Sequence, residues 1–114
     1  MNPAKVNMTI IQGSTLSRVF AWVAGGVAVD LTGYTGRMQI RETVDSTTVL
    51  LDLNTSNGGM TLGGVAGTIT LAATATVTAA LSFDTAVYDI ELVIGAAVTR
   101  VIEGKVKLSP EVTR

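Results

Sequence analysis

A strict alternation of apolar and polar side chains over residues 37–41 constrains this chain more than any other feature. The odd positions hold Arg37, Gln39 and Arg41, and the even positions hold Met38 and Ile40. A period of two is that of a β-strand with one face in the core and the other in water. Residues 30–34, Asp-Leu-Thr-Gly-Tyr, place a turn directly before it. We expect this turn and strand to organise the fold.

The same alternation recurs along the chain, between turn signals that fall about every 8–12 residues. The predicted strands cover residues 5–10, 15–23, 27–31, 34–42, 48–53, 60–62, 68–71, 85–94 and 98–108. Such spacing predicts an all-β fold, an immunoglobulin-like antiparallel β-sandwich of seven to nine strands. A small barrel or jelly roll is the alternative.

Residues 72–81 are the exception, because they are rich in Ala and Thr and lack large side chains in alternation. Val77 and Leu81 lie four residues apart, as on one face of a helix. We therefore predict one short helical crossover from one sheet to the other.

Alternation also predicts the inward faces of two further strands. In the strand 48–53 the inward residues are predicted to be Val49, Leu51 and Leu53. In the strand 98–108 they are predicted to be Val98, Ile102, Val106 and Leu108. Arg100 interrupts this second face near one end.

Tyr88 stands near the start of the cleanest strand, just after the predicted crossover. In immunoglobulin-type sandwiches a tyrosine at this corner packs inward, and its hydroxyl bonds to backbone upstream. The stretch resembles that corner, with Ile90 where such domains carry a cysteine. This supports the fold and carries no information on function.

Composition excludes several kinds of chemistry. The 114 residues include no cysteine and no histidine, so thiolate chemistry, disulfides and the commonest general base are absent. The net charge of −1 offers no basic field for nucleic acid. Asp84, Asp89 and Glu91 are close in sequence, but their spacing is not that of a calcium loop, and we interpret them as a solvated strand face. We expect no catalytic residues, no metal and no cofactor.

The chain is poor in charge, and this indicates an assembly. Only 15% of its residues are charged and its mean hydropathy is +0.48, against about 25% charged residues in typical globular chains. β-proteins with few charges on their edges are poorly protected against strand association. A covered surface in an assembly is one interpretation, and a monomer with a Thr/Ala/Ser surface is the other. The sequence contains no signal peptide and no span of about 18–20 apolar residues, so we expect a protein made in the cytoplasm with no membrane partner.

Arg37, Gln39 and Arg41 are the candidate interface residues, because they form a basic, hydrogen-bonding row on one strand face. The alternative is an ordinary solvated face with cross-strand partners such as Asp52 or Glu91. Separately, the large aromatic residues Trp22, Tyr34 and Tyr88 are expected in the core and at the corner rather than on a carbohydrate-binding platform.

The order of segments resembles a known class of proteins. The segments are Phe20 with Trp22, then residues 29–34, 37–41, 50–53, 57–59, 67–71, 88–92 and 104–114. They resemble small β-sandwich proteins from the structural-gene regions of tailed bacteriophages and prophages, and are similar in pattern to the N-terminal domain of phage upper baseplate proteins. The resemblance covers residues 14–114, and the Asp-Leu-Thr-Gly-Tyr to Met-Gln-Ile-Arg unit is its distinctive part. It implies a docking or cementing role.

These observations predict a single domain, residues 1–114, that is a non-enzymatic structural component of a tailed-phage virion, made in the host cytoplasm. The favoured role is a tail-side adaptor or baseplate subunit that docks fibres or spikes, and a capsid decoration or cement protein is the alternative. Its expected partners are copies of itself and larger phage tail or head proteins. Residues 1–12 are expected either to fold in place or to act as an exchanged or docking arm. A small carbohydrate- or ligand-binding module is the rival from another class.

Overall fold

The structure is a computed structural model, and it describes residues 3–113. In chain order the elements are β1 (Ala4–Lys5), β2 (Met8–Ile11), β3 (Leu16–Ala21), β4 (Val23–Ala24), β5 (Val27–Ala28), β6 (Thr35–Arg41), β7 (Leu51–Asn54), β8 (Met60–Leu62), a 3-10 turn (Gly64–Ala66), β9 (Thr68–Ala73), α1 (Ala75–Ala79), β10 (Thr85–Ile94) and β11 (Ala97–Ser109). No helix within these residues is long and apolar enough to cross a membrane.

The larger sheet contains the strand that the alternation predicts. β1 and β2 lie along β11, which is followed by β10, β6 and β7. β6 pairs antiparallel with β10 on one side and with β7 on the other. Met38 and Ile40 of β6 are buried and Arg37 faces solvent, so the predicted orientation of this strand is confirmed.

The predicted turn before β6 is held by Asp30. Its carboxylate accepts hydrogen bonds from the Thr32 backbone N–H at 2.9 Å and from the Thr32 hydroxyl at 2.6 Å. These bonds to the ionised form lower the pKa of Asp30 below its ordinary value, the hydroxyl having the larger effect. An Asx-type turn of this kind fixes where the chain enters β6.

The smaller sheet has the strand order β3-β9-β8, with both pairs antiparallel. β4 and β5 form a separate hairpin around Gly25 and Gly26. α1 follows β9 in the smaller sheet and precedes β10 in the larger one, so the predicted crossover is confirmed. Thr74 caps the helix, because its side chain accepts a hydrogen bond from the Val77 N–H.

The core lies between the two sheets. Fully buried aliphatic side chains come from both of them, including Met38, Ile40, Ile90, Leu92, Ile69 and Leu71. Burial of each such side chain stabilises the fold by roughly 1.5–3 kcal/mol relative to leaving it exposed. The prediction of an all-β, sandwich-like fold is therefore confirmed. Within residues 3–113 the strands number eleven rather than seven to nine, because three of them, β1, β4 and β5, are two residues long.

The N-terminal strands differ from the purely antiparallel sheet that we predicted. β1 and β2 run parallel to β11, with Ala4 opposite Ile102 and Met8 opposite Val106. Strands joined by a tight turn must pair antiparallel, but these strands come from opposite ends of the chain, so no turn dictates their direction. Residues 1 and 2 of the predicted arm lie outside the described residues, as does Arg114, and exchange of the arm stays a prediction.

Tyr88 joins these N-terminal strands to the core. It is buried, and its hydroxyl donates a 2.7 Å hydrogen bond to the Val6 carbonyl oxygen. The inward packing and the bond to upstream backbone match the prediction. However, the partner lies in the neighbouring N-terminal segment, between β1 and β2, and not a few residues upstream as in a tyrosine corner.

A β-bulge in β11 makes part of the predicted inward face wrong. Ile90 pairs with Ile102 while Glu91 pairs with Arg100, which leaves Val101 as the extra residue. One extra residue reverses the alternation, because successive side chains point to opposite faces. Val101 and Ile102 are consequently both buried, and Val98, predicted inward, is 50% exposed. Arg100 therefore points to solvent and does not interrupt the core.

Two apolar residues singled out in the sequence analysis, Val49 and Val77, are exposed. Val49 lies before β7 begins at Leu51, so no ladder holds it toward the core, and it is 37% exposed. In α1, Val77 is 40% exposed and Thr78 is fully buried. The Thr78 hydroxyl accepts from the Gly13 N–H at 3.1 Å and donates to the Ser14 carbonyl at 2.8 Å. These bonds to the β2–β3 connection explain why the helix buries Thr78 rather than Val77.

Candidate functional site

The outer surface of the larger sheet concentrates the charges of the protein. This charged face consists of the outward side chains Lys5, Arg37, Gln39, Arg41, Asp52, Asp89, Glu91, Arg100, Glu103 and Lys105. The pairing registers align them in rows across the strands. One row joins Arg37, Glu91 and Arg100, and the next joins Gln39, Asp89 and Glu103. An acidic centre thus lies between basic side chains.

Arg37 of the predicted interface row is paired within the chain. Its Nε atom lies 2.8 Å from Glu91 Oε1 on the neighbouring strand. The Arg37 side chain is 52% exposed, so solvent screens the pair and limits its contribution to under about 1 kcal/mol. Its guanidinium stays accessible to a partner surface.

Gln39 and Arg41 also have partners within the chain. Arg41 donates to the Ser46 carbonyl at 2.8 Å and to Gln39 Oε1 at 2.9 Å. Gln39 Nε2 lies 3.5 Å from the Asp52 carboxylate. The cross-strand partners that the sequence suggested, Glu91 and Asp52, are therefore present. The docking role of the row on an acidic subunit stays a prediction.

Asp89 lies at the centre of an acidic cluster formed by Asp89, Glu91 and Glu103. Burial raises the pKa of its carboxyl, and the neighbouring Glu91 carboxylate raises it further. Arg100 opposes this effect, with its Nε atom 3.9 Å from Asp89 Oδ2. Arg100 also lies 3.1 Å from Glu103. The bulge at Val101 brings Arg100 to this face, a placement that the sequence analysis missed.

The centre of the charged face is slightly concave. A depression of about 490 Å³ is lined by side chains of both signs, among them Arg41, Asp89, Glu103 and Lys105, and by Val44 from the loop after β6. Small-molecule sites bury most of their ligand in an enclosed, largely apolar pocket. A shallow surface of mixed charge instead suits contact with another polar protein surface. Among residues 3–113, no three acidic side chains are grouped so as to hold a metal ion.

The outer surface of the smaller sheet has the opposite character. This uncharged face consists of Ser17, Val19, Ala21, Thr61, Thr68, Thr70 and Ala72. Its only nearby charge on these strands, Arg18, points toward the other side of β3, where its guanidinium carbon lies 5.1 Å from the Phe20 ring centre. The face therefore presents small hydroxyl and aliphatic groups.

One end of the sandwich exposes several aliphatic side chains. This aliphatic end carries exposed Val23, Val27, Val65, Ile94 and Val98, and the Asp30 turn lies beside it. They come from the β4–β5 hairpin, the 3-10 turn and the β10–β11 hairpin. The Leu31 N–H donates to the Gly64 carbonyl at 2.8 Å, and a Cβ atom built on Gly33 would lie 3.8 Å from Ile94. The Trp22 N–H, directly before the β4–β5 hairpin, donates to the Gly67 carbonyl after the 3-10 turn at 2.9 Å. Together these contacts place the three segments at the same end.

The separation of charged and uncharged surfaces was missed at the level of sequence, although a signal for it exists. No charged residue occurs between Asp52 and Asp84, the segment that supplies β8 and β9. Composition reports the low charge but not its distribution. Pairing of β3 with β9 is what collects the uncharged segments on one surface.

The aromatic side chains do not form an exposed platform among the described residues. Trp22 and Tyr34 pack against the core, with ring centres 6.1 Å apart and planes at 90°. Tyr88 is buried. Their expected core placement is confirmed.

Comparisons with known proteins give no match to this chain, either among protein-family models or among curated proteins.

Proposed function

We propose that this protein is a non-enzymatic structural component of a tailed-bacteriophage virion, present in many copies. In this proposal it acts on the tail side, as an adaptor or baseplate subunit to which fibres or spikes dock. It works by packing, and its partners are further copies of itself and a larger phage tail or head protein. It is made in the host cytoplasm and incorporated into the particle.

The observation that carries this proposal is the set of exposed aliphatic side chains on the uncharged face and at the aliphatic end. They include Val19 at 59%, Val27 at 68% and Val65 at 74% exposure. Larger exposed apolar patches mark interaction sites on proteins, and interfaces that form permanently are the more hydrophobic ones. Covering these side chains with a neighbouring subunit would remove them from water.

The assignment to a phage particle is supported by the resemblance. Its distinctive unit, residues 30–41, forms the Asp30 turn and the strand β6. This unit lies beside β10 in the middle of the larger sheet, so it defines the domain rather than a peripheral loop. Fold likeness alone does not carry function, and the particle itself supplies the test.

The direct test is the protein content of particles from the phage or prophage that encodes this chain. We expect mass spectrometry to detect the protein in purified virions at many copies, and immunogold labelling to place it on the tail. Labelling of the head would support the alternative of a capsid decoration or cement protein. Absence from purified particles would contradict a structural role.

A variant series tests whether the aliphatic end makes the contact. Val65→Lys and Val27→Lys place a charge on exposed side chains, so we expect both variants to fold and to be poorly incorporated. Val44→Lys is the matched control, because Val44 is 83% exposed and borders the charged face. Normal incorporation of both Lys variants at the aliphatic end would show that this end is not an interface.

The predicted docking row is tested separately. Arg37→Glu combined with Arg41→Glu reverses the charge that an acidic neighbouring subunit would meet. If the row docks as predicted, incorporation falls. Assembly that remains intact in this double variant rules out the docking role of Arg37, Gln39 and Arg41 while leaving the uncharged face and the aliphatic end as the contact.

A further inference from the structure

β3 is an edge strand with one unused side. Within residues 3–113 its only ladder partner is β9, along the six residues Leu16–Ala21. Beyond Ala21 the same register continues, because the Trp22 N–H donates to the Gly67 carbonyl at 2.9 Å. Along an antiparallel ladder, every second residue directs its backbone N–H and C=O groups toward the partner strand, and the residues between them direct these groups away. Trp22, Phe20 and Arg18 therefore bond toward β9.

The intervening residues direct their backbone groups away from the sheet. Ser17, Val19 and Ala21 thus present N–H donors and C=O acceptors along the free edge. Their side chains lie on the uncharged face, and all three residues are exposed. A row of such groups is a template for pairing with another strand.

Most features that normally protect an edge strand are missing from β3, although Arg18 points inward on it. Its outward side chains carry no charge, it contains no proline, and its register with β9 has no bulge. By contrast, β7 carries the outward Asp52 and β1 carries the outward Lys5. β8 is only three residues long. β2 is also an edge strand without an outward charge, but it is only four residues long. β3 is consequently the longest edge without an outward charge among the described strands.

We propose that a second copy of this chain pairs with this edge, β3 against β3 in antiparallel orientation about a two-fold axis at Val19. Two three-stranded sheets would then join into one sheet of six strands. This deepens the proposed function, on which it rests for the presence of many copies, and names the partner and the surface.

The second copy is the occupant that the chemistry of the edge favours. An antiparallel pair of identical strands matches every outward donor with an acceptor, and an isologous contact needs only one patch. Centred on Val19, the register places Val19 opposite Val19 and Ser17 opposite Ala21. These outward side chains are small and uncharged, so they meet without charge repulsion or steric conflict. On the inner side the same register places Arg18 opposite Phe20.

Crosslinking tests this geometry, because the chain has no native cysteine. Hydrogen-bonded antiparallel residues have Cα atoms about 5.5 Å apart, within the range of a disulfide, about 4.4–6.8 Å. We expect Val19→Cys to give a covalent dimer on oxidation or with a short bis-maleimide. Thr61→Cys is the matched control, since Thr61 lies on the same cross-strand row at the opposite edge. Equal crosslinking of the two variants would overturn the proposal.

The register gives a second measurement. Ser17→Cys and Ala21→Cys should crosslink efficiently when mixed and poorly when each is alone, because Ser17 opposes Ala21 only across the axis at Val19. A Ser17→Cys variant that crosslinks equally well with itself would contradict this register.

Solution mass separates this proposal from the proposed function. By light scattering over a concentration series, we expect a dimer for the unmodified chain and for Thr61→Lys, and a monomer for Val19→Lys. Circular dichroism checks that both variants fold. A chain that is monomeric throughout yet present in virions overturns the β3 contact and retains the structural role. A β3 dimer that is absent from virions retains the β3 contact and overturns the structural role.

Discussion

The Tyr88 hydroxyl donates a 2.7 Å hydrogen bond to the Val6 carbonyl oxygen and thereby replaces a bond of the sheet. In a parallel ladder the Val6 carbonyl would accept from the Lys105 N–H, just as the Val6 N–H donates to the Glu103 carbonyl at 2.9 Å. Instead, the Lys105 N–H donates to the Asn7 side-chain oxygen at 3.0 Å. The N-terminal segment is pinned to the core at the point where its ladder is interrupted.

Removal of the Tyr88 hydrogen bond should lower the stability of the protein. Tyr88→Phe removes the hydroxyl donor and leaves the partly buried Val6 carbonyl without its hydrogen bond. We therefore expect the free energy of unfolding to fall by about 1–2 kcal/mol. Urea unfolding measures this. Tyr34→Phe is the control, because its hydroxyl makes no hydrogen bond to residues 3–113 and should change stability little. Equal losses in the two variants would contradict the role of the bond.

Stability should also fall at alkaline pH through the same residue. Burial raises the pKa of Tyr88 from 10.0 to about 12, against a smaller opposing effect of Arg18. The folded state therefore holds the phenol proton more tightly, and its contribution is complete below pH 10 and is lost as the pH approaches 12. The loss is at most about 3 kcal/mol. Unfolding measured from pH 9 to 12 should be less pH-dependent in Tyr88→Phe than in the unmodified chain.

Gly104 is required beside this interruption. A Cβ atom at this position would overlap the Val6 carbonyl oxygen and lie 3.2 Å from the Tyr88 ring. Gly104→Ala must therefore displace the N-terminal segment, and we expect a loss of about 1–3 kcal/mol. Amide hydrogen exchange should become faster at Val6 and at Lys105. Unchanged exchange at both amides would mean that the segment accommodates the methyl group without moving.

In the acidic cluster, removal of one charge should raise the stability of the protein rather than lower it. The pKa of Asp89 is raised, so its ionised form is disfavoured in the folded state, and its stability contribution is lost as the pH rises through the folded pKa. Asp89→Asn should therefore stabilise the protein at neutral pH. The gain should be below about 1 kcal/mol, because the side chain is 43% exposed and solvent screens it. Thermal unfolding at low salt should reveal it, and a destabilised variant would show that the Arg100 contact dominates.

The hydroxyl of the buried Thr78 holds the helical crossover in place, so its removal should lower the stability of the protein. Thr78→Val keeps the shape but leaves the Gly13 N–H and the Ser14 carbonyl without their partner, at a cost of about 1–3 kcal/mol. Thr76→Val, an exposed position on the same helix, is the matched control for helix propensity. Chemical unfolding of the two variants compares them. Equal stability would indicate that water replaces the hydroxyl.

Strand positions were predictable wherever alternation was continuous. β6 and β10 begin and end within one residue of the predicted ranges, because burial of every second side chain leaves only one orientation open to them. Prediction failed where a contact distant in sequence decided the outcome. The bulge at Val101 depends on pairing with β10, and the burial of Thr78 depends on the β2–β3 connection.

For the candidate site, the sequence identified the outward row of Arg37, Gln39 and Arg41 and two of its cross-strand partners. It did not identify Arg100 as a member of the same face, since the bulge that turns Arg100 outward exists only in the paired sheet. Nor did it separate charged from uncharged surfaces, because a low total charge is compatible with any distribution.

The sequence by itself determined that this chain is an all-β sandwich with one short crossover, and that histidine and cysteine chemistry is excluded. These properties follow from local periodicity and composition, which each segment carries alone. Tertiary structure decided the parallel direction of the N-terminal strands, the Tyr88 bond to Val6, the bulge at Val101 and the unprotected edge of β3. Each depends on which strands become neighbours, and the core burial that selects those neighbours is a property of the whole chain.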